Sequence, residues 1–306
     1  MHSTLLIFLD GVGIGKNDSV NNPFFQNSFR FLNEIFGETP HLETQSISKQ
    51  NRFLFPVDAN LGVEGLPQSG TGQTSIFCGV NASKIIGKHF GPFPFSTLKP
   101  IIESENIFNY FNQNNMKASF ANAFPKIFFD YINSGRKRLN VTTLMALYSN
   151  FKLFGLDDLL SGNAVSSDIT NRRWNTKLKY NIPTITPEVA AERLLRITSE
   201  NNFTLFEYFF TDHLGHGRNK DESEILLDDL DRFLFTIISQ ITDETTLLIC
   251  SDHGNLENIG VKGHTNNPTL TISAGFGALK LRERIKNLSQ IKSAVIELYK
   301  ESTKSY

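Results

Sequence analysis

The chain has 306 residues, 40% of them apolar and 20% charged, which is enough apolar material for one large domain or a core carrying a smaller insert. A formal net charge of -1 gives no field for general nucleic-acid or anionic-membrane binding, and no stretch approaches the length that spans a bilayer. The apolar run near the N-terminus is too short for a signal-peptide core and lacks a basic lead-in, so a cytoplasmic protein is expected.

In chain order, the first predicted element is a buried strand over Leu5-Leu-Ile-Phe-Leu9, a near-continuous apolar run. It ends at Asp10-Gly-Val-Gly-Ile-Gly15. The glycines there let the backbone turn and approach a ligand. The spacing is not that of a dinucleotide loop, and an acid stands where phosphate would bind. The segment Gly65-Leu-Pro-Gln-Ser-Gly-Thr-Gly-Gln-Thr-Ser75 is rich in small and hydroxyl residues, and a helix can begin over Thr74 to Cys78. Residues 121–183 read as a small insert or cap over one sheet edge, with basic clusters Arg136-Lys137-Arg138 and Arg172-Arg173. Thr186-Pro-Glu opens a helix, with Thr186 as N-cap and Pro187 at the first helical position. A second apolar run, Phe203 to Phe210, is followed by Asp212-His-Leu-Gly-His216. A helix is predicted over about 221–241 from apolar residues at helical spacing. A third apolar run, Thr246 to Cys250, leads into Ser251-Asp-His-Gly-Asn255 and then Lys262-Gly-His-Thr265. A last helix covers about 290–300. Strands alternating with long helices predict an α/β fold with a mostly parallel sheet covered on both faces, built from residues 1–120 and 184–306. The 27 Phe are expected to fill its core, and Cys78 and Cys250, matching no metal or redox spacing, are expected to be reduced core thiols.

Each of the three apolar runs ends in an aspartate: Asp10, Asp212 and Asp252. Ligands of an open α/β sheet bind outside the carboxyl ends of its strands, so the three carboxylates are expected to converge there, where cations must neutralise them. Any one of His216, His253 and His264 alone reads as a core or surface residue. Together, each beside an Asp or a Gly turn, they read as ligands. At i and i+4 of a helix Asp212 and His216 share one face, while His213 points elsewhere. Oxygen with imidazole suits zinc or manganese. Two such ions a few ångströms apart can clamp the attacking and leaving oxygens of a phosphoryl transfer. Ser69, Thr71 and Thr74 all qualify as the nucleophile by type.

These residues, in this order, resemble the alkaline phosphatase superfamily, and within it the branch of cofactor-independent phosphoglycerate mutases and phosphopentomutases. The resemblance rests on Asp10-Gly11, the Ser69 segment, Asp212-x-x-Gly-His216, Asp252-His-Gly-Asn255 and Gly263-His264, which frame almost the whole chain. It implies that Asp212, His216 and His264 hold one metal ion and Asp10, Asp252 and His253 the other, with the nucleophile's oxygen completing the second set. The superfamily's nucleophile frame selects Ser69, with Thr71 second, although Gln73 stands where His or Asn is more usual. The cap of such mutases is larger than the insert here, which favours hydrolysis of a small phosphorylated substrate over a mutase reaction. A non-catalytic metal-binding protein is the alternative of another class. Thr71, Gln73, Arg136, Arg138, Arg172 and Arg173 are candidate substrate contacts, the arginines being equally compatible with a solvated charged face.

Overall fold

The computed structural model describes residues 2–135 and 138–302; Arg136, a candidate substrate contact, and Lys137 beside it lie outside the described residues. Among the described residues nine strands form: β1 (Ser3–Leu9), β2 (Ile47–Lys49), β3 (Arg52–Val57), β4 (Ala118–Phe120), β5 (Asn122–Ala123), β6 (Val165–Ser166), β7 (Phe203–Tyr208), β8 (Thr245–Cys250) and β9 (Thr269–Gly275). Seven of them make one sheet in the order β2-β3-β9-β8-β1-β7-β4, and β5 pairs with β6 in a small second sheet. β8, β1, β7 and β4 run parallel, while β9, β3 and β2 add an antiparallel edge. The α/β class holds, with a mixed, mostly parallel sheet.

β1, β7 and most of β8 are buried along their length, as strands covered on both faces must be. The pleat sends alternate side chains to opposite cores. Leu5, Ile7 and Leu9 join one cluster with apolar residues of the Pro187–Ser199 and Ser223–Gln240 helices. Leu6 and Phe8 join the other with the Ser69–Cys78 and Ile291–Ser302 helices. Much of the phenylalanine goes into this second core, where Phe8, Phe77, Phe108, Phe111, Phe120 and Phe203 are fully buried. Each such ring contributes about 1.5–3 kcal/mol by leaving water. Cys78 and Cys250 are buried and unbridged, their thiols pushed up by burial.

The helix starts argued from sequence follow their chemistry. Thr186 Oγ1 accepts from the Val189 N–H, with Pro187 at the first position. One start differs: the helix expected from Thr74 opens at Ser69, although Gly70 and Gly72 are poor helix formers. Both glycines are needed for clearance. A Cβ on Gly70 would meet the Phe93 and Phe90 carbonyls at 2.3 and 2.7 Å, and one on Gly72 the Asp252 carbonyl at 2.8 Å.

Within residues 121–183, Val141, Leu144 and Met145 of the Val141–Tyr148 helix join the second core. Ala123, Leu159, Ala164, Trp174 and Ile182 form a small cluster of their own. Asn122 ties this segment to β7. Its amide donates to the Glu207 carbonyl and its carbonyl accepts from the Glu207 N–H, both at 2.8 Å, as a neighbouring strand would. No helix among the described residues is long and apolar enough to cross a membrane.

Candidate metal centre

β1, β7 and β8 are adjacent and parallel, so their carboxyl ends open at one edge of the sheet and deliver Asp10, Asp212 and Asp252 to one crevice. Gly11, at φ +70, makes the sharp turn after β1, and its missing side chain leaves room for Asp212: a Cβ there would sit 2.9 Å from Oδ1. Asp212 itself sits in the short Phe210–Gly215 helix.

Asp10, Asp252 and His253 form one group of ligand atoms, all within 4.8 Å of one another, that can hold a metal ion. His253 Nε2 lies 3.4 Å from Asp10 Oδ1, 3.6 Å from Asp252 Oδ2 and 3.0 Å from Ser69 Oγ. Ser69 occupies the first turn of its helix, where the peptide dipoles favour an anion. Asp252, fully buried, accepts from the Gly11 N–H and the Gln73 amide, both at 3.3 Å. Gln73 therefore orients this carboxylate.

The second group surrounds Asp212. His216 Nε2 and His264 Nε2 lie 3.3 and 3.6 Å from its Oδ1 and 3.3 Å from each other. Ligand atoms about 2.0–2.1 Å from a tetrahedrally bound ion stand about 3.4 Å apart, so these separations fit a small cation between them. The hydrogen bonding fits too. His264 Nδ1 donates to the Pro67 carbonyl at 2.6 Å, which turns the lone pair of Nε2 toward the Asp212 carboxylate. Two electron-rich atoms held face to face repel unless a cation lies between them. The Asn255 amide fixes Asp212 Oδ1 at 2.6 Å. Asp212, His253 and His264 also satisfy the 4.8 Å criterion. The His253 and His264 rings stack at 3.6 Å, so His253 borders both groups.

The charges are badly matched without an ion. Burial, reinforced by Asp252, pushes the Asp10 carboxyl well above the usual carboxylate range, and burial raises Asp252 as well. Burial would lower His253, but Asp252, Asp10 and Asp212 outweigh it and lift the imidazole to about 10. Burial and the neighbouring His253 lower His264 to about 4. Asp10 Oδ1 is buried with no hydrogen-bond partner. Unsatisfied acceptors at the meeting point of three carboxylates are what a cation site requires.

The other candidates are placed differently. Thr71 is buried, donates from Oγ1 to the Gln68 carbonyl and gives its N–H to Phe90, so it serves the helix start. Thr74 Oγ1 donates to the Gly70 carbonyl. Arg172 pairs with Asp229 at 2.8 Å, in a groove lined by residues of the Ser223–Gln240 helix. Arg173 pairs with Glu222 and, like Arg138, borders a large cavity beside the crevice. His213 packs against Phe209 and Phe210 rather than facing the acids.

Two supporting residues were not singled out from sequence. Asn255 stands in the sequence only as the last residue of the Asp252-His-Gly-Asn255 motif, and Glu257 lies outside any motif. Glu257, buried, accepts from the N–H groups of Gly13 and Asn255 and from the hydroxyl of Thr265, tying the loop after β1 to the loop after β8. A carboxylate two residues beyond Asn255, in a loop already carrying ligand types, was the available signal.

Residues 175–300 match the Metalloenzyme superfamily. The fold is similar to that of the PH0037 protein from Pyrococcus horikoshii, at 12% identity and a TM-score of 0.53, covering 97% of this chain and 96% of that one. It is likewise similar to alkaline phosphatase from the Antarctic bacterium TAB5, at 13% identity and a TM-score of 0.51, covering 97% and 98%. Residues 175–300 thus resemble the Metalloenzyme superfamily, in a chain whose α/β fold is similar to that of alkaline phosphatase.

Proposed function

We propose that the protein is a two-metal phosphohydrolase that works through a phosphoserine at Ser69. The observation that carries this reading is the position of Ser69 Oγ, 3.0 Å from His253 Nε2, at a helix N-terminus beside two acid–imidazole groups. In this reading Asp10, Asp252 and His253 hold one ion beside Ser69, and Asp212, His216 and His264 hold the other. When bound, two Mn2+ or Zn2+ ions would attract the phosphate oxygens, acidify the serine hydroxyl and stabilise the leaving oxygen. The chain's own residues supply position. Gln73 and the Gly11 N–H aim Asp252, Asn255 aims Asp212, and Pro67 fixes the ring of His264.

In the first step the Oγ–phosphorus bond forms as the ester phosphorus–oxygen bond breaks. The serine proton is released, and the leaving alkoxide takes one up from solvent. Water then splits the phosphoserine, giving inorganic phosphate and restoring the hydroxyl. The narrower likeness to the phosphoglycerate mutase and phosphopentomutase branch rests on the order of the motifs.

The test is to quench the metal-loaded protein during turnover of a labelled phosphate ester and map the label. Label on Ser69, with free phosphate as product, supports the reading. A phosphorylated isomer as product would instead identify a mutase. Turnover at the parental rate by Ser69→Ala, with no labelled serine, would sink it.

A further inference from the structure

Beside the crevice lies a cavity of about 970 Å3, at the upper end of the range for small-molecule sites. Neither Ser69 nor any candidate ligand lines it, but two of its wall segments adjoin the candidate centre. Phe209, Phe210 and His213 in its wall belong to the segment that carries Asp212. Phe93, also in its wall, presents its carbonyl to Gly70, next to Ser69.

Its lining is chemically one-sided. Phe124, Ile127, Phe128 and Tyr131 follow at i, i+3, i+4 and i+7, running from just before the Lys126–Asn133 helix along one of its faces. Such a stripe normally docks on a core; here Phe124 and Tyr131 pack only in part against the second core, Phe128 is half-buried and Ile127 is 67% exposed. The stripe faces the cavity, with Trp174 and Phe210 also in the wall. The charged groups in the lining are largely spoken for. Arg173 and Lys177 pair with Glu222, and Asp130 pairs with Lys126. Asp168 accepts from the Ser166 hydroxyl and the Arg173 N–H, and Glu207 from Asn140 and Thr142. Apart from the exposed Arg138, what the cavity offers an occupant is aromatic and aliphatic surface.

We propose that this cavity receives the leaving group of the phosphoryl donor, and that the donor is a phosphate monoester of a bulky, ring-bearing alcohol. The proposal rests on the phosphohydrolase reading above and deepens it. Glycerate or a bare phosphate would leave the aromatic stripe uncovered, whereas a ring covers it while its ester oxygen points toward Ser69.

Two esters test it, 2-phenylethyl phosphate and ethyl phosphate, whose alcohols have similar acidity and differ in the ring. Burying the ring is expected to raise kcat/KM for the first about ten- to a hundredfold over the second. Phe128→Ala is expected to shrink that ratio about tenfold. A second measurement needs no turnover. Trp174 is the only tryptophan of the chain and lies in the cavity wall, so its emission reports occupancy. Titration with 2-phenylethylphosphonate is expected to shift it, and ethylphosphonate to leave it unchanged. Equal kcat/KM on both esters with an unmoved Trp174 overturns the ring proposal and leaves the hydrolase reading intact. A Trp174 shift without turnover of either ester overturns the hydrolase reading while the ring site stands. Emission that changes with protein concentration instead of ligand, alongside dimers in sedimentation, assigns the cavity to a second copy and overturns the proposal.

Discussion

Two neighbouring regions of this molecule solve opposite problems. The crevice at the ends of β1, β7 and β8 crowds carboxylates and imidazoles that repel one another, and braces them with Gly11, Gln73, Asn255, Glu257 and Pro67. The cavity beside it leaves an apolar stripe only partly covered, with most of its charges paired to protein partners. The crevice is built for an exact charge at a fixed point, the cavity for a shape. In the proposed reading, the difference teaches that the reacting group and the rest of the substrate are recognised by separate physics, even though Asp212 and Phe210 lie two residues apart.

The comparison breaks most sharply at Ser69. Ser69→Ala is expected to lower kcat on an aryl phosphate at least about 10³-fold, measured at saturation, while the metal content found by mass spectrometry stays the same. Loss of bound metal in that variant would show that Ser69 holds the site together. Next is Asn255→Ala, which frees Asp212. Weakening of metal affinity by about 10–100-fold is expected in a chelator competition. An unchanged affinity would remove Asn255 from the bracing role.

A smaller effect tests the boundary between the two regions. Burial lifts the Glu207 carboxyl to about 7, against the hydrogen bonds from Thr142 and Asn140, and the charge of Asp252 adds to the rise. A carboxyl raised on folding contributes stability that is complete below its unfolded value, about 4.3, and is lost as pH climbs toward 7. Glu207→Gln is therefore expected to flatten the fall in unfolding free energy across that window, by on the order of 2 kcal/mol in urea titrations. If the two proteins show the same slope, Glu207 is already ionised in the fold. The smallest effect lies far from both regions. Arg232 holds Glu188 at 2.8 Å and keeps its carboxyl at about 2, yet both side chains are over a third exposed. Arg232→Ala is expected to cost less than about 1 kcal/mol in the same titration.

The crevice was far more legible in the sequence than the cavity. One aspartate after an apolar run means little, since Asp is a common turn residue, but three of them, each with its own glycine or histidine neighbours, point to one crevice. The histidines followed because each sits beside a glycine turn or an acid. The Ser69 helix was read as starting late because Gly70 and Gly72 signal a loop, when their true use is clearance against neighbouring carbonyls. The antiparallel edge went unseen partly because Pro56 argues against a strand. It is tolerated where β3 has run past β2, whose pairing ends at Ile47 with Leu54. The cavity left no trace, since Phe124, Ile127, Phe128 and Tyr131 have the same spacing whether they cover a core or an open space. Glu207 was visible as an acid inside an apolar strand, but its meaning depends on Asn122, Asn140 and Thr142, which only the fold brings near.

β1 has as its neighbours β7 and β8, both from the last third of the chain. During synthesis Asp10 therefore stays without its strand neighbours until residues 203–250 have been made. In the proposed reading, the centre is complete for an ion only once those strands have closed around β1.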